Sequence, residues 1–363
     1  SADGGKVIDI AYGKMDDAQL VAGLIEKGDK RELVYVTLKQ EVDLFGGEGE
    51  LAVEERVNLT REFADKFEGN ITKLLVSNQA DTILVATDTG AVLSFRKQGG
   101  KISFSQKFKP FEDGEKIASM NYVFGNNTLI FTNDAGRTLG YTLYKPSKEL
   151  PLLFGLTKTN FTDLKAGAGF YASSQINKSF LTGQDNNISL RYATTQKDNW
   201  TSTLDYKVKY AIISKKYDRI LLADDKNKLH VLELNDPHPE ASWQTYFTQI
   251  WYEGEKGPAH KWESTGGTEE AEKKLSMMPL IFGTLKSTFY AMLFAVPIAL
   301  MAAIYTAEFL PPKLKVYIKP LMEVMASLPS VIIGFLAALW LAPLIEHTFP
   351  AILMVVSVVP LSA

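Results

Sequence analysis

TILVATDTGAVLSF, residues 82–95, reads as two apolar β-strands folded back on each other around Asp-Thr-Gly. Ile, Val, Thr and Phe suit a pleated surface, while Asp88 and Gly90 suit a tight reversal with a left-handed backbone. The unit returns as TLIFTNDAGRTLGY (128–141), SFLTGQDNNISLRY (179–192) and RILLADDKNKLHVL (219–232). Aligned on Ile83, Leu129, Phe180 and Ile220, successive units stand 46, 51 and 40 residues apart. Asn133, Asp134, Gly136, Asp185, Asn186, Asp225 and Asn227 supply the matching reversals. An earlier unit, QLVAGLIEKGDKRELVYV (19–36), lies 63 residues ahead of the next, and the excess falls on the polar, acidic stretch 41–70.

Another apolar strand precedes each unit, as in ITKLLVS (71–77) and YKVKYAIIS (206–214). Three or four strands in a period of about 45 residues mark a β-propeller blade. Residues 1–240 are therefore expected to be all-β and propeller-like, built from WD40/YVTN-type repeats, with five blades as a minimum and the ring incomplete. A β-sandwich with look-alike hairpins is the competing architecture, because no strict Trp-Asp signature marks the repeats.

Composition changes abruptly after this region. Residues 241–278 read as an aromatic and then polar linker, with Trp243, Tyr246, Phe247, Trp251, Tyr252 and Trp262 ahead of Ser264, Gly266, Gly267 and Thr268. These aromatics fit either a membrane-interface belt or the underside of the propeller. Residues 279–363 read as the α-helical start of a transmembrane domain, with spans at about 281–307, 321–345 and 348–363. STFYAMLFAVPIALMAAIYTA (287–307) is 21 residues without a charge, and VMASLPSVIIGFLAALWLAPLI (324–345) is 22. At 1.5 Å per residue, the first covers about 31 Å, the thickness of a hydrocarbon core. The third run is still apolar at Ala363, so the chain is expected to be a fragment whose last helix is cut.

Charge sets the expected orientation. Lys313, Lys315 and Lys319 lie between the first two spans against Glu308, whereas Glu346 and His347 follow the second. The lysine loop is then cytoplasmic and the propeller periplasmic. Lys256, Lys261, Lys273 and Lys274 precede the first span and oppose this, but long domains translocate largely regardless of charge. SADGGKVIDIAYG, the first residues, contain no apolar signal segment, so the exporting segment is expected upstream of Ser1.

Several function classes are excluded. With 39 basic and 42 acidic residues and a net charge of −3, the chain lacks the dense basic surface of a nucleic-acid binder. It has no cysteine, and its four histidines, His230, His238, His260 and His347, are not spaced as metal ligands. Asp224 and Asp225 sit where turn chemistry calls for Asp. No catalytic residue, cofactor site or metal site is expected.

EFLPPKLKVYIKPLMEVMASLPSVIIGF (308–335) carries a Pro-rich basic loop followed by Leu-Pro-Ser-Val, and PLIFGTLKSTFYAMLFAVPIALMAAIY (279–305) carries a Gly-Thr-Leu opening and an internal proline. Together with WYEGEKGPAHKWESTGGTEEAEKKLSMMPL (251–280), these stretches resemble the phosphate-specific ABC transporter permease, PstC-type subunit, in its long form with an extra periplasmic domain. The resemblance implies a MetI-like permease core in the bacterial inner membrane. It also implies a second permease subunit (PstA-type), ATPase subunits (PstB-type) and a periplasmic phosphate-binding protein (PstS-type) as partners, besides membrane lipid. No GxxxxGK[ST] occurs, so ATP is expected on the partner subunit.

Under this reading the candidate pathway lining is Thr284, Lys286, Ser287 and Thr288 near the outer end of the first span, with Glu323, Ser327 and Ser330 at the second. Each has a plainer role. Small and hydroxyl residues serve helix contacts, and a lysine near a helix end snorkels. A membrane-anchored propeller acting as scaffold or sensor is the alternative function, and a quinoprotein-like dehydrogenase lacks any catalytic constellation.

Overall fold

The computed structural model describes residues 5–15, 18–40, 51–147, 151–165, 167–264 and 266–362. The chain divides into two compact units, Ser1–Phe282 and Gly283–Ala363. In the first, consecutive strands pair antiparallel in five separate sheets. β1 (Lys6–Met15), β2 (Ala18–Lys27), β3 (Lys30–Gln40) and β4 (Leu51–Asn58) make the first sheet, followed by the short helix α1 (Leu59–Glu62). β5 (Ile71–Val76), β6 (Thr82–Thr87), β7 (Val92–Gln98) and β8 (Lys101–Phe108) make the second. The third holds β9 (Ile117–Tyr122), β10 (Thr128–Asn133), β11 (Thr138–Tyr144) and β12 (Leu153–Lys158). β13 (Phe170–Ser173), β14 (Ser179–Gln184), β15 (Asn187–Tyr192) and β16 (Lys197–Thr203) form the fourth, and β17 (Val208–Ile213), β18 (Arg219–Asp224) and β19 (Leu229–Glu233) the fifth.

The repeated unit is the inner hairpin of each four-stranded sheet, β2–β3, β6–β7, β10–β11 and β14–β15, and the last hairpin, β18–β19, of the three-stranded fifth sheet. Its reversals take positive φ at Gly90, Gly136, Asp185 and Asn227, the residue types that tolerate it. At Gly136 a Cβ would also meet the Leu164 carbonyl oxygen at 2.2 Å, so only glycine fits.

Side-chain alternation explains how the sheets stack. On β6, Ile83 and Val85 join Leu20, Leu33 and Tyr35 of the first sheet, whereas Leu84 and Ala86 join Leu129 and Phe131 of the third. Ile130 on β10 then turns the other way, toward Phe180 and Ala193 of the fourth sheet, and Leu181 and Leu190 meet Ile213 and Leu222 of the fifth. A strand buried on both faces reads as a continuous apolar run, which is why ILVA and LIF lack polar alternation. A sandwich strand has one buried face, so the arrangement is propeller-like. The two end sheets differ: Ile10 and Tyr12 on β1, and Tyr210, Ile212 and Val231 in the fifth sheet, are exposed.

Residues 241–264 and 266–277, the aromatic and polar linker, pack against the β unit. They fold onto the third and fourth sheets, through a parallel bridge between Tyr144 and Gly254 and through the buried side chains of Ile250 and Tyr252. Helix α2 (Trp243–Phe247) opens this segment, capped by Ser242, whose hydroxyl accepts from the Thr245 N–H.

The helices depart from the expected spans. α3 (Met278–Ile304) runs on through a π-helical turn at Tyr305–Phe309, and Met278–Phe309 is long and apolar enough to cross a membrane. The expected span 321–345 is broken: α4 (Pro312–Ser327) ends at Leu328, which is extended (φ −67°, ψ 134°), the conformation that the following Pro329 favours. α5 (Ser330–Leu336), a π turn at Ala337–Leu341 and α6 (Ala342–Ser362) then follow without a loop. The second membrane-capable stretch is therefore Ser330–Ala351. Glu346 and His347, expected in a short loop, are helical, because charge alone does not end a helix. Pro343 is accommodated just after the π turn, where the helical hydrogen-bond ladder is already irregular.

Candidate functional site

Residues 250–264 and 266–277 are fastened by buried charge. Glu253 takes Lys178 Nζ on both carboxylate oxygens, at 3.0 and 2.8 Å, and the Thr128 hydroxyl at 2.7 Å. Lys178 also donates to the Phe124 carbonyl at 2.7 Å. The Glu253 N–H donates to Glu272 Oε2 at 2.6 Å, and the Thr194 hydroxyl donates to Glu272 Oε1 at 2.7 Å. Lys158 reaches the carbonyls of Thr194 and Trp251. Both lysine side chains are at most 2% exposed, so each amine must find its partners inside the protein. The strands supply them: Thr128 opens β10, Lys158 ends β12 and Lys178 lies just before β14.

Burial, then the neighbouring Glu272, push the Glu253 carboxyl up to about 7 from 4.5. Burial pushes the Lys158 ammonium down, against the pull of Glu272 and Glu253. The folded state therefore holds the Glu253 proton more tightly than the unfolded chain does. Its contribution to stability is full below the ordinary value of 4.5 and is lost as pH rises through about 7. Glu253→Gln is expected to remove this downward slope, seen as a smaller fall of Tm between pH 4.5 and 7.5 than the parent chain shows. An unchanged slope would assign it elsewhere.

The expected pathway residues are on three separate helices, and all seven are exposed. Thr284, Ser287 and Thr288 share one face of α3 by their three- and four-residue spacing, and the Ser287 hydroxyl donates back to the Thr284 carbonyl at 3.0 Å. Lys286 is on the other side of α3, its Nζ 5.9 Å from the Tyr290 ring centre. Glu323 and Ser327 belong to α4, where Lys315, Lys319, Glu323 and Ser327 follow at four-residue intervals as a polar face. Ser330 is the first residue of α5.

Two features were missed by reading the sequence. Glu253 and Glu272 are not singled out by any sequence motif, though Ile250 and Tyr252 beside them are apolar residues that pack inside the β unit. On α3 and the π turn after it, the small patch continues as Gly283, Ser287, Ala291, Ala295, Ala299, Ala303 and Ala307, one small residue every four. Such a row admits the close approach of another helix.

Similarity to known proteins is local. The chain is 37% identical over 70 residues to "Phosphate transport system permease protein PstC 1" of Mycobacterium tuberculosis, covering 19% of this chain and 21% of that protein. The same protein of Mycobacterium bovis gives the same figures. It is 31% identical over 78 residues to "Probable ABC transporter permease protein YqgH" of Bacillus subtilis, covering 22% of this chain and 25% of that one. The matches thus span about a fifth to a quarter of these relatives' length. This chain carries a stretch similar to ABC transporter permeases. No protein-family model matches it. Among solved structures, the β-propeller domain of Myceliophteria thermophila Cps50 (Swd1) aligns with a TM-score of 0.42 and 8% identity, covering 63% of this chain and 84% of that one.

Proposed function

We propose that the chain is a permease segment of an ATP-driven importer that carries phosphate across the bacterial inner membrane, with the propeller on the periplasmic side as a docking or regulatory domain. The observation that carries this reading is the 37% identity over 70 residues to a phosphate transport permease. Two helices of membrane-crossing length support it. A second permease subunit, separate ATPase subunits and a periplasmic phosphate-binding protein complete the machine, and ATP is hydrolysed on the partner. Thr284, Ser287 and Thr288 face the second subunit or the pathway, and the lysines of α4 lie at the cytoplasmic surface, where positive charge is retained. The propeller offers the binding protein a broad, rigid surface.

Disruption of the gene is expected to abolish high-affinity phosphate uptake by cells grown on limiting phosphate. Unchanged phosphate uptake, or loss of a different solute's uptake, would overturn the assignment. Topology has its own check in this cysteine-free chain. Lys315→Cys and Thr89→Cys should react with an impermeant thiol reagent from opposite sides of the membrane, and reaction of both from outside would sink the orientation.

A further inference from the structure

The aromatic residues of 241–277 divide into two sets. Tyr252 is buried, and Trp251 donates its indole N–H to the Glu255 carbonyl at 2.8 Å while meeting Tyr144 edge-on at 6.3 Å. These two belong to the β unit. Trp243, Phe247 and Trp262 do not: they are 80%, 38% and 41% exposed, with Trp243 stacked on Phe247 at 5.1 Å between ring centres.

All three are tied to the chain at the point where α3 begins. The Tyr246 carbonyl, in α2 between Trp243 and Phe247, accepts from the Met277 N–H at 2.9 Å. Trp262 is bridged antiparallel to Leu275, and the Ser276 N–H donates to the Lys261 carbonyl at 2.9 Å. Ser276 is itself buried. Met277 and Leu280, 40% and 43% exposed, continue the apolar surface.

Depth points to what covers it. Met278–Phe309 is 32 residues, about 48 Å at 1.5 Å per residue, which matches a bilayer of roughly 40–45 Å with its headgroups included. With α3 centred in the bilayer, residue 277 falls at the outer edge of the headgroup layer, the interfacial zone in which Trp rings, with one polar edge and an apolar body, are enriched. We propose that Trp243, Phe247 and Trp262, carried on segments bonded to residues 275–277, form a collar that lies in the headgroup layer of the lipid bilayer at the start of α3. The collar rests on the reading of α3 as a membrane span. Nearby lysines are already paired, Lys261 with Glu255 and Lys274 with Glu263, so the lipid it takes need not be anionic.

The test uses the chain in phosphatidylcholine nanodiscs, spin-labelled one position at a time at Trp243→Cys, Trp262→Cys, Ile298→Cys and Ile212→Cys. All four positions are exposed, so the changes leave the core intact. Collision with oxygen against a water-soluble nickel chelate reads depth. Ile298 should read as hydrocarbon and Ile212 as water, with Trp243 and Trp262 between them at interface values. Trp243 and Trp262 matching Ile212, with Ile298 in lipid, would overturn the collar and leave the span standing. An aqueous Ile298 would overturn both, and labels at the collar shielded from both reagents would mark a protein neighbour instead and overturn it too.

Discussion

Lys178→Ala should destabilise the β unit by about 3–5 kcal/mol, because it leaves a mostly buried carboxyl without its cation. The Glu253 side chain is 10% exposed and has Glu272 beside it, so without Lys178 two acids share one buried site. Either the site takes up a proton or residues 250–277 detach from the sheets. Urea unfolding followed by fluorescence measures the loss, and hydrogen exchange at 250–277 reports the detachment. The exposed pair Lys207–Asp185, at 3.5 Å with both side chains more than half exposed, is the control, and Lys207→Ala should change little. A Lys178→Met, Glu253→Leu double variant should be milder than Lys178→Ala, since it removes the charge together with its partner. If Lys178→Ala matches Lys207→Ala instead, the pair is hydrated and does not fasten the segment.

That pair also shows where reading the sequence stops. The five hairpins were legible because each needs only local information: an apolar run, a turn residue with the right φ, another apolar run. Their stacking was partly legible, since ILVA and LIF have no polar face to give to water. Lys178 and Glu253 are 75 residues apart, and nothing in the neighbourhood of either announces the other. Glu253 lies in a stretch whose Gly, Ser and Thr content suggests a loose connection, and a tertiary contact overrides that local signal. In the helical unit the failure was of the opposite kind. Length and hydropathy predict three runs, whereas the described residues hold two stretches of membrane-crossing length, Met278–Phe309 and Ser330–Ala351, and the proline in Leu-Pro-Ser, expected inside a span, lies just past the end of α4. The residue before it takes the extended conformation that a following proline favours, so α4, with its polar face of Lys315, Lys319 and Glu323, is cut away from the apolar helix that follows.

Ala295→Leu should lower both recovery of the second permease subunit and phosphate uptake by ten-fold or more on the proposed reading. Ala295 is the middle of the row that runs from Gly283 to Ala307 at intervals of four, and α3 presents this row exposed. A four-residue row spirals slowly around a helix, and a partner helix crossing at about −40° follows it. Between such helices lipid offers no hydrophobic drive, so association depends on close van der Waals approach, which a leucine holds apart. Overpacking a tight contact costs about 1–3 kcal/mol, and each 1.4 kcal/mol is ten-fold in an association constant. Leu293→Phe enlarges a side chain on the other side of α3 and should change neither quantity. Co-purification from detergent and uptake in cells carrying each variant read the two effects together. Equal behaviour of the two variants would show that the row meets lipid, and would leave the second subunit to be held by another face.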